Sequence, residues 1–317
     1  MMERLQVNRV GISRALDRLE KLMPAKVAAN KPLAKNNTFR VGGPASIFVI
    51  ADSLHELNII VGAINDYDLP FLFLGRGSNL LISDSGFAGI VLQLGKEFQK
   101  ITVAENEMIA GAAVTLTALA QTALKHSLDG LSFVVGIPGT LGAAVAINAG
   151  SYKNQMSDIV RKITTYDIHN QNPRLISLNH EEIGFGYRST KLSHDTIILE
   201  AKLVLRPGQS GHIKREMETN WRHRKEKQPL GKPSAGSIFK NPNGYAAGRL
   251  IEESGCKGRR VGGAMVSAKH ANFIINTGDA SAMDIYRLIK EIQAEVKSQT
   301  GIQLETEIRM AGDFHEN

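Results

Sequence analysis

The chain has 317 residues, 43% of them hydrophobic and 22% charged, with a formal net charge of +7. That length sets an expectation of about two domains, and the single cysteine, Cys256, excludes a disulfide framework or a multi-cysteine zinc site. Charged residues recur through Met1–Pro24 and no apolar stretch reaches the ~20 residues of a membrane span, so the expectation is a cytoplasmic protein without signal peptide or membrane segment.

After a charged N-terminal arm, Ile47–Ala51 reads as a strand. Ser53 with Glu56 three residues on predicts a capping box opening a helix with Leu57, Ile60, Val61 and Ile64 on one face; Pro70 stops it. Short strands are predicted at Phe71–Leu74, Leu80–Ser83, Gly89–Leu94, Ile101–Val103 and Met108–Ala110, then an alanine-rich helix over Thr115–His126. A turn at Asp129-Gly130 precedes a glycine-rich run, Gly136–Gly150. Strands follow at Lys162–Ile168, Arg174–Ser177 and Thr196–Leu205, and Pro207–Gly211 reads as a linker. Beyond it come a basic helix with Ile213, Met217 and Trp221 as its stripe, a loop over Pro229–Asn243, and a short helix at Arg249–Glu253 ending at Gly255. A strand is predicted at Asn272–Asn276, then a helix capped by Ser281 and Asp284, with Ile285, Leu288, Ile289, Ile292 and Val296 on its apolar face and Gly301 as its stop. A strand over Gln303–Met310 closes the chain. Helices and strands do not alternate regularly, which places the fold in the α+β class.

The positive charge is local. Between Arg206 and Ser234 eight basic residues face three acids, Glu216, Glu218 and Glu226. A solvated helix face, a nucleic-acid surface and a docking site for an anionic small substrate all fit such a segment. Its single aromatic, Trp221, and the lack of a nucleic-acid-binding signature argue against the second. Two glycine runs sit where strands turn: Gly75-Arg76-Gly77-Ser78-Asn79 and Gly136-Ile137-Pro138-Gly139-Thr140-Leu141-Gly142-Ala143. Neither is a Walker loop or a dinucleotide fingerprint. Either could be a tight turn, but two in one region favour a nucleotide diphosphate held by backbone N–H groups.

Seven motifs in order carry a resemblance: Asn37–Ala45, Gly75–Leu81, Gly136–Thr140, Asn148–Gly150, Gly186–Ser189, Pro233–Pro242 and Leu304–Arg309. Over roughly Asn30 to Gly312 the chain resembles the UDP-N-acetylenolpyruvoylglucosamine reductases, also called UDP-N-acetylmuramate dehydrogenases, flavoenzymes of peptidoglycan precursor synthesis. The resemblance implies an arm over 1–29, an FAD-binding domain of the vanillyl-alcohol-oxidase type with two α+β subdomains over 30–206, and an α+β substrate domain over 207–317. It implies non-covalent FAD, with Gly75, Arg76, Gly77, Ser78, Asn79, Leu80, Gly136, Ile137, Pro138, Gly139, Thr140, Gly142 and Ala143 along the cofactor. Arg76, Thr140 and Ala143 stand where the family often has glycine, serine and glycine. The short interval between Arg188 and Ser237 resembles the family's shorter form, which lacks a tyrosine-bearing loop.

The reaction so implied is reduction of an enolpyruvyl ether on a UDP-sugar to a lactyl ether, with NADPH as reductant and the flavin carrying the hydride. Arg188 and Glu307 would stabilise the enolate-like charge, Glu307 as a protonated donor whose pKa must be raised. Ser237 would protonate the substrate carbon. Tyr187, Lys227, Gln228 and Asn241 would contact the substrate, Lys227 at its diphosphate. No metal, nucleic acid or membrane span is expected. Taken without the family pattern, Arg188 has the alternative reading of a structural ion-pair partner, Ser237 that of a turn cap and Glu307 that of a solvated strand carboxylate. Two other functions stay open at this point: a sugar or 2-hydroxy-acid oxidase on the same FAD fold, or a basic binding module acting through Arg206–Lys232.

Overall fold

The computed structural model describes residues 8–168, 174–193 and 195–314; the first seven residues of the expected N-terminal arm lie outside these. Two compact units are present, each assembled from separate stretches of chain. Ala29–Ser46 and Arg76–Gly89 group with the C-terminal third.

The first unit takes the described residues up to Ala28, then Ile47–Gly75 and Ile90–His223. Its N-terminal arm is a helix, Arg9–Leu22, capped by the Asn8 side chain, which accepts from Gly11 N–H at 2.8 Å. Gly11, Ala15 and Leu19 form its buried stripe. Two of these three are small, so the periodicity is hard to see among the charges. The next helix, Leu54–Asp66, buries Leu57, Ile60, Val61 and Ile64 as predicted, and Ser53 caps it. The Glu56 carboxylate takes another partner: it accepts from Asp52 N–H at 2.7 Å and pairs with Lys26. Phe71–Phe73 lies parallel to the Ile90–Leu92 stretch of its neighbour strand.

The larger sheet of this unit is antiparallel. Its order is Leu175–Asn179, Val160–Asp167, Thr196–Val204, Glu107–Gly111, Ile101–Ala104. The expected linker is a paired element. Arg206–Pro207 is hydrogen-bonded to Leu128–Asp129, and Gly208 N–H donates to Ser127 O at 2.8 Å. Proline and glycine are compatible with this two-residue edge pairing, which their composition conceals. The basic helix spans Ser210–Lys227. Ile213 is buried and Met217 packs on the core, but Trp221 is 46% exposed and Asn220 is buried instead. At 100° per residue, i+7 returns to within about 20° of the starting face whereas i+8 overshoots by about 80°.

The second unit comprises Ala29–Ser46, Arg76–Gly89 and the described residues from Arg224 on. Its core gathers on the helix Ala282–Thr300, whose five predicted apolar residues are all fully buried. Ser281 and Asp284 form the capping box, and Gly301 ends the helix at φ 74°. A second carboxylate reaches the same terminus: Asp84 accepts from Ala282 and Met283 N–H at 2.8 and 2.9 Å. Both acids meet the positive end of the helix dipole. Arg260–Val261, Ala264–Val266 and Ile274–Asn276 make a small antiparallel sheet. The long C-terminal strand expected over Gln303–Met310 does not form. Only Arg309–Ala311 is a strand, parallel to Leu80–Ile82, and Thr306 makes a single bridge to Phe239. The segment changes partner there, which breaks the ladder. Among the described residues no helix is long and apolar enough to cross a membrane.

Cys256 is buried, and burial pushes its thiol pKa up, consistent with a packing role. Burial likewise lowers the His270 imidazole from its ordinary 6.5. Its Nδ1 accepts from Asn272 N–H at 3.2 Å, and its ring stands edge-on to Phe273. The unfolded chain therefore binds a proton below about pH 6.5 that the folded chain refuses. This contribution to stability is complete above that pH and is lost as the pH falls toward the folded-state pKa. Denaturant midpoints at pH 5 and pH 7.5 should differ less in His270→Gln than in the wild type; an unchanged difference would assign the acid sensitivity to other groups.

Candidate active site

In the second unit, residues Arg76–Asn79 of the first glycine run are shaped by the Asn37–Ala45 motif. The buried Asn37 side chain donates to Leu33 O and Val41 O and accepts from Arg40 N–H, fixing its own loop. Gly77 presses on that loop at φ 60°. A Cβ there would stand 2.5 Å from Asn36 O and 2.6 Å from Asn37 Cα, so only glycine fits. Thr38 N–H donates back to Gly77 O. The backbone N–H groups of Arg76, Gly77, Ser78 and Asn79 donate to no acceptor among the described residues. Four successive unused donors on a loop suit an anion. Asn79 extends the loop toward another segment: its Nδ2 donates to Glu307 O at 3.1 Å, and its carbonyl accepts from Arg309 N–H at 3.0 Å. Leu80 opens the paired strand and is buried.

In the first unit, the second run turns into the helix Leu141–Ala146, with Thr140 at its N-cap. The N–H groups of Ile137, Leu141 and Gly142 are occupied by Val134, Val114 and Ala112 carbonyls. Those of Gly139, Thr140 and Ala143 have no acceptor among the described residues. Ile137 and Gly142 therefore contribute shape, with Gly142 lying close against Ala112. Pro138 has no N–H to give, and Gly136 turns the chain at φ 78°. Gly75 abuts this helix start: a Cβ there would be 2.9 Å from Thr140 Oγ1.

Arg188 also belongs to the first unit. It sits at φ 51°, a conformation an arginine adopts only under constraint. The constraint is visible. Asn148, itself at φ 44° and buried, donates to Gly186 O at 2.9 Å and accepts from Ser157 N–H at 3.0 Å. Gly186 and Ser189 close a bridge around the arginine, whose Nη2 donates to Gly150 O at 2.9 Å. Tyr187 is exposed, with the guanidinium 5.6 Å from its ring centroid.

The second unit brings Ser237 and Glu307 onto neighbouring backbone segments. Glu307 N–H donates to Ile238 O at 2.7 Å, Phe239 bridges Thr306, and Lys240 N–H donates to Glu305 O at 2.9 Å. Glu307 lies in a bend between that bridge and the final strand, not at the alternating strand position read from the sequence. Lys227 ends the basic helix and is exposed. Gln228 continues its last turn through N–H donation to Arg224 O at 2.8 Å. Asn241 serves the fold directly, since its Oδ1 accepts from Ala247 N–H at 3.0 Å at the start of the helix Ala247–Glu253. In the sequence, Asn37 and Asn148 stand out only as members of their motifs, and Asn272 carries no motif at all. The available signal for the last is an asparagine at each end of the apolar run Phe273–Ile275.

Each unit thus presents a glycine loop with unused backbone N–H donors of the kind that suits a phosphate. A family model described as an FAD binding domain matches residues 45–170, so the class is that of FAD-dependent oxidoreductases. The model for the C-terminal domain of UDP-N-acetylenolpyruvoylglucosamine reductase matches residues 228–311. The reductase of that name from Caldanaerobacter subterraneus subsp. tengcongensis is 41% identical over 300 residues, covering 94% of this chain and 98% of the relative. That from Clostridium novyi is 42% identical over 302 residues, covering 95% and 97%. The crystal structure of the Thermus caldophilus reductase superposes with a TM-score of 0.77 at 36% identity, covering 90% of this chain and 98% of that one. The chain belongs to the UDP-N-acetylenolpyruvoylglucosamine reductase family. The expected α+β class and FAD-binding type hold with it.

Proposed function

We infer that this chain reduces the enolpyruvyl ether of UDP-N-acetylglucosamine to the lactyl ether, UDP-N-acetylmuramate, with NADPH as reductant, in the cytoplasmic assembly of peptidoglycan precursors. The free N–H groups of Arg76–Asn79 and of Gly139, Thr140 and Ala143 would hold the diphosphate and ring system of FAD without a covalent link. Bound FAD would supply hydride transfer between NADPH and substrate. Arg188 meets the negative charge that develops on the substrate carboxylate, and Glu307 donates a hydrogen bond to the same charge. Ser237 protonates the substrate carbon. Tyr187, Lys227, Gln228 and Asn241 contact the UDP-sugar, Lys227 at its diphosphate.

The observation that carries this reading is the pairing of the Ser237 loop with the Glu307 segment, through Glu307 N–H to Ile238 O. An oxidase on the same fold needs neither residue. The purified protein should be yellow, and acid precipitation should release the flavin into the supernatant. NADPH should bleach the flavin under anaerobic conditions, and the UDP-enolpyruvyl substrate should restore its colour. Restoration by oxygen alone, with no response to that substrate, would point to an oxidase.

A further inference from the structure

Asn272 is buried, at 4% exposure, and places three hydrogen bonds on the two residues that follow Ser237. Its carbonyl accepts from Ile238 N–H at 2.9 Å. Its side-chain Oδ1 accepts from Phe239 N–H at 2.9 Å, and its Nδ2 donates to Phe239 O at 2.8 Å. The two side-chain bonds fix the amide orientation, since the reversed amide would set donor against donor and acceptor against acceptor. Ile238 is thereby held from two directions: its N–H by Asn272, its carbonyl by Glu307 N–H at 2.7 Å.

The other side of Ser237 is different. Gly236 precedes it at φ 77°, and a Cβ built there meets nothing within 4 Å. Glycine is the residue with the most backbone freedom, and at Gly236 a side chain would meet only open space. The Ser237 hydroxyl itself has no hydrogen-bond partner among the described residues. The nearest anchors on the N-terminal side lie beyond Gly236, at the buried Ala235 and at the Pro233 carbonyl, which accepts from Asn276 N–H at 2.9 Å, so the fixed contacts next to Ser237 are those of the Asn272 clamp. The clamp is itself braced. Asn272 N–H donates to His270 Nδ1 at 3.2 Å, and Phe273 N–H donates to His270 O at 3.0 Å.

We propose that Asn272 is a positioning residue for the proposed proton donor: its side-chain amide, closed on both backbone groups of Phe239, holds Ser237 in register with Glu307. This rests on the reading of Ser237 as proton donor. A donor placed by a short rigid segment needs no reordering when the substrate carbon is protonated, and a loss of about 1 Å in placement can lower a rate by about 100-fold.

The test uses the flavin-loaded protein. Asn272→Asp keeps an acceptor for Phe239 N–H and removes the donor to Phe239 O; Asn272→Ser is a smaller, neutral second variant. Flavin reduction by NADPH should stay within about twofold of wild type. Reoxidation of the flavin by the UDP-enolpyruvyl substrate should slow by roughly 10- to 100-fold, with substrate affinity little changed. A double variant, Ser237→Ala with Asn272→Asp, should be no slower than Ser237→Ala alone, because a residue acting only through Ser237 loses its effect once Ser237 is gone. Full additivity in the double variant, equal slowing of both half-reactions, or loss of flavin in both single variants would overturn the proposal. If Ser237→Ala reoxidises at the wild-type rate, the reading of Ser237 itself fails; if it is slow while both Asn272 variants are fast, only the proposal does.

Discussion

Ser237→Ala should reduce its flavin with NADPH at nearly the wild-type rate, then reoxidise it with the UDP-enolpyruvyl substrate about 10²- to 10⁴-fold more slowly, the range typical of a lost general acid. The reason lies in timing. A proton donor to the substrate carbon acts only after hydride has been delivered, and NADPH never meets that step. The substitution removes one hydroxyl that has no protein partner among the described residues, so it leaves no buried group unsatisfied. Substrate affinity should change little, because a hydroxyl that serves as proton donor would act in the transition state. Cysteine at this position should restore part of the rate, since a thiol also donates a proton. Stopped-flow absorbance separates the two steps. Equal slowing of both would make Ser237 structural; slowing of neither would move the proton to another group, with Glu307 the next candidate.

Arg188→Lys should retain flavin and lose roughly 10²- to 10³-fold in kcat, the usual result of removing one oriented donor to a developing anion. Lysine keeps the charge, so a large effect would identify geometry as the cause. Arginine presents its donors in a rigid fork, and one arm of that fork is held by Gly150 O at 2.9 Å. A lysine has a single ammonium on a flexible stem. It can take the Gly150 carbonyl or the substrate, but not both from one place. Asn148→Ala should produce a smaller fall of the same kind, because Asn148 anchors the Gly186 carbonyl beside Arg188. Steady-state kinetics with saturating NADPH distinguishes the outcomes. A lysine variant with wild-type kcat would leave Arg188 as a source of charge only, and one slowed equally in flavin reduction would remove it from the substrate's side of the reaction.

The sequence and the structure agree best where one short window carries the signal. Ser53 and Ser281 cap the helices predicted to start there, and Gly301 ends its helix in the left-handed conformation. The periodicity from Ile285 to Val296 marks the face that is buried. Helix caps and a 3.6-residue repeat are local physics, set within one or two turns of the residue concerned. The glycine runs are likewise legible as turns with accessible donors. Local reading fails where small or polar residues take apolar positions. The Gly11–Ala15–Leu19 stripe is hidden by its small side chains, and Asn220 stands on the face that the spacing gives to Trp221.

Partner choice lies outside any window. Asp84 caps a helix 198 residues further along, and Asn79 fastens to Glu307 across 228. An asparagine that clamps a backbone and one that faces water have the same letter. Asn37, Asn148 and Asn272 differ from surface asparagines only in being buried where a carbonyl and an N–H must both be satisfied. The class, the cofactor and the reaction type were therefore implied by the resemblance that the order of motifs carries. Which donors are left free for that cofactor, and what holds Ser237 and Arg188 in place, came from long-range hydrogen bonds, because a backbone group's partner is chosen by chain topology and not by its neighbours in sequence.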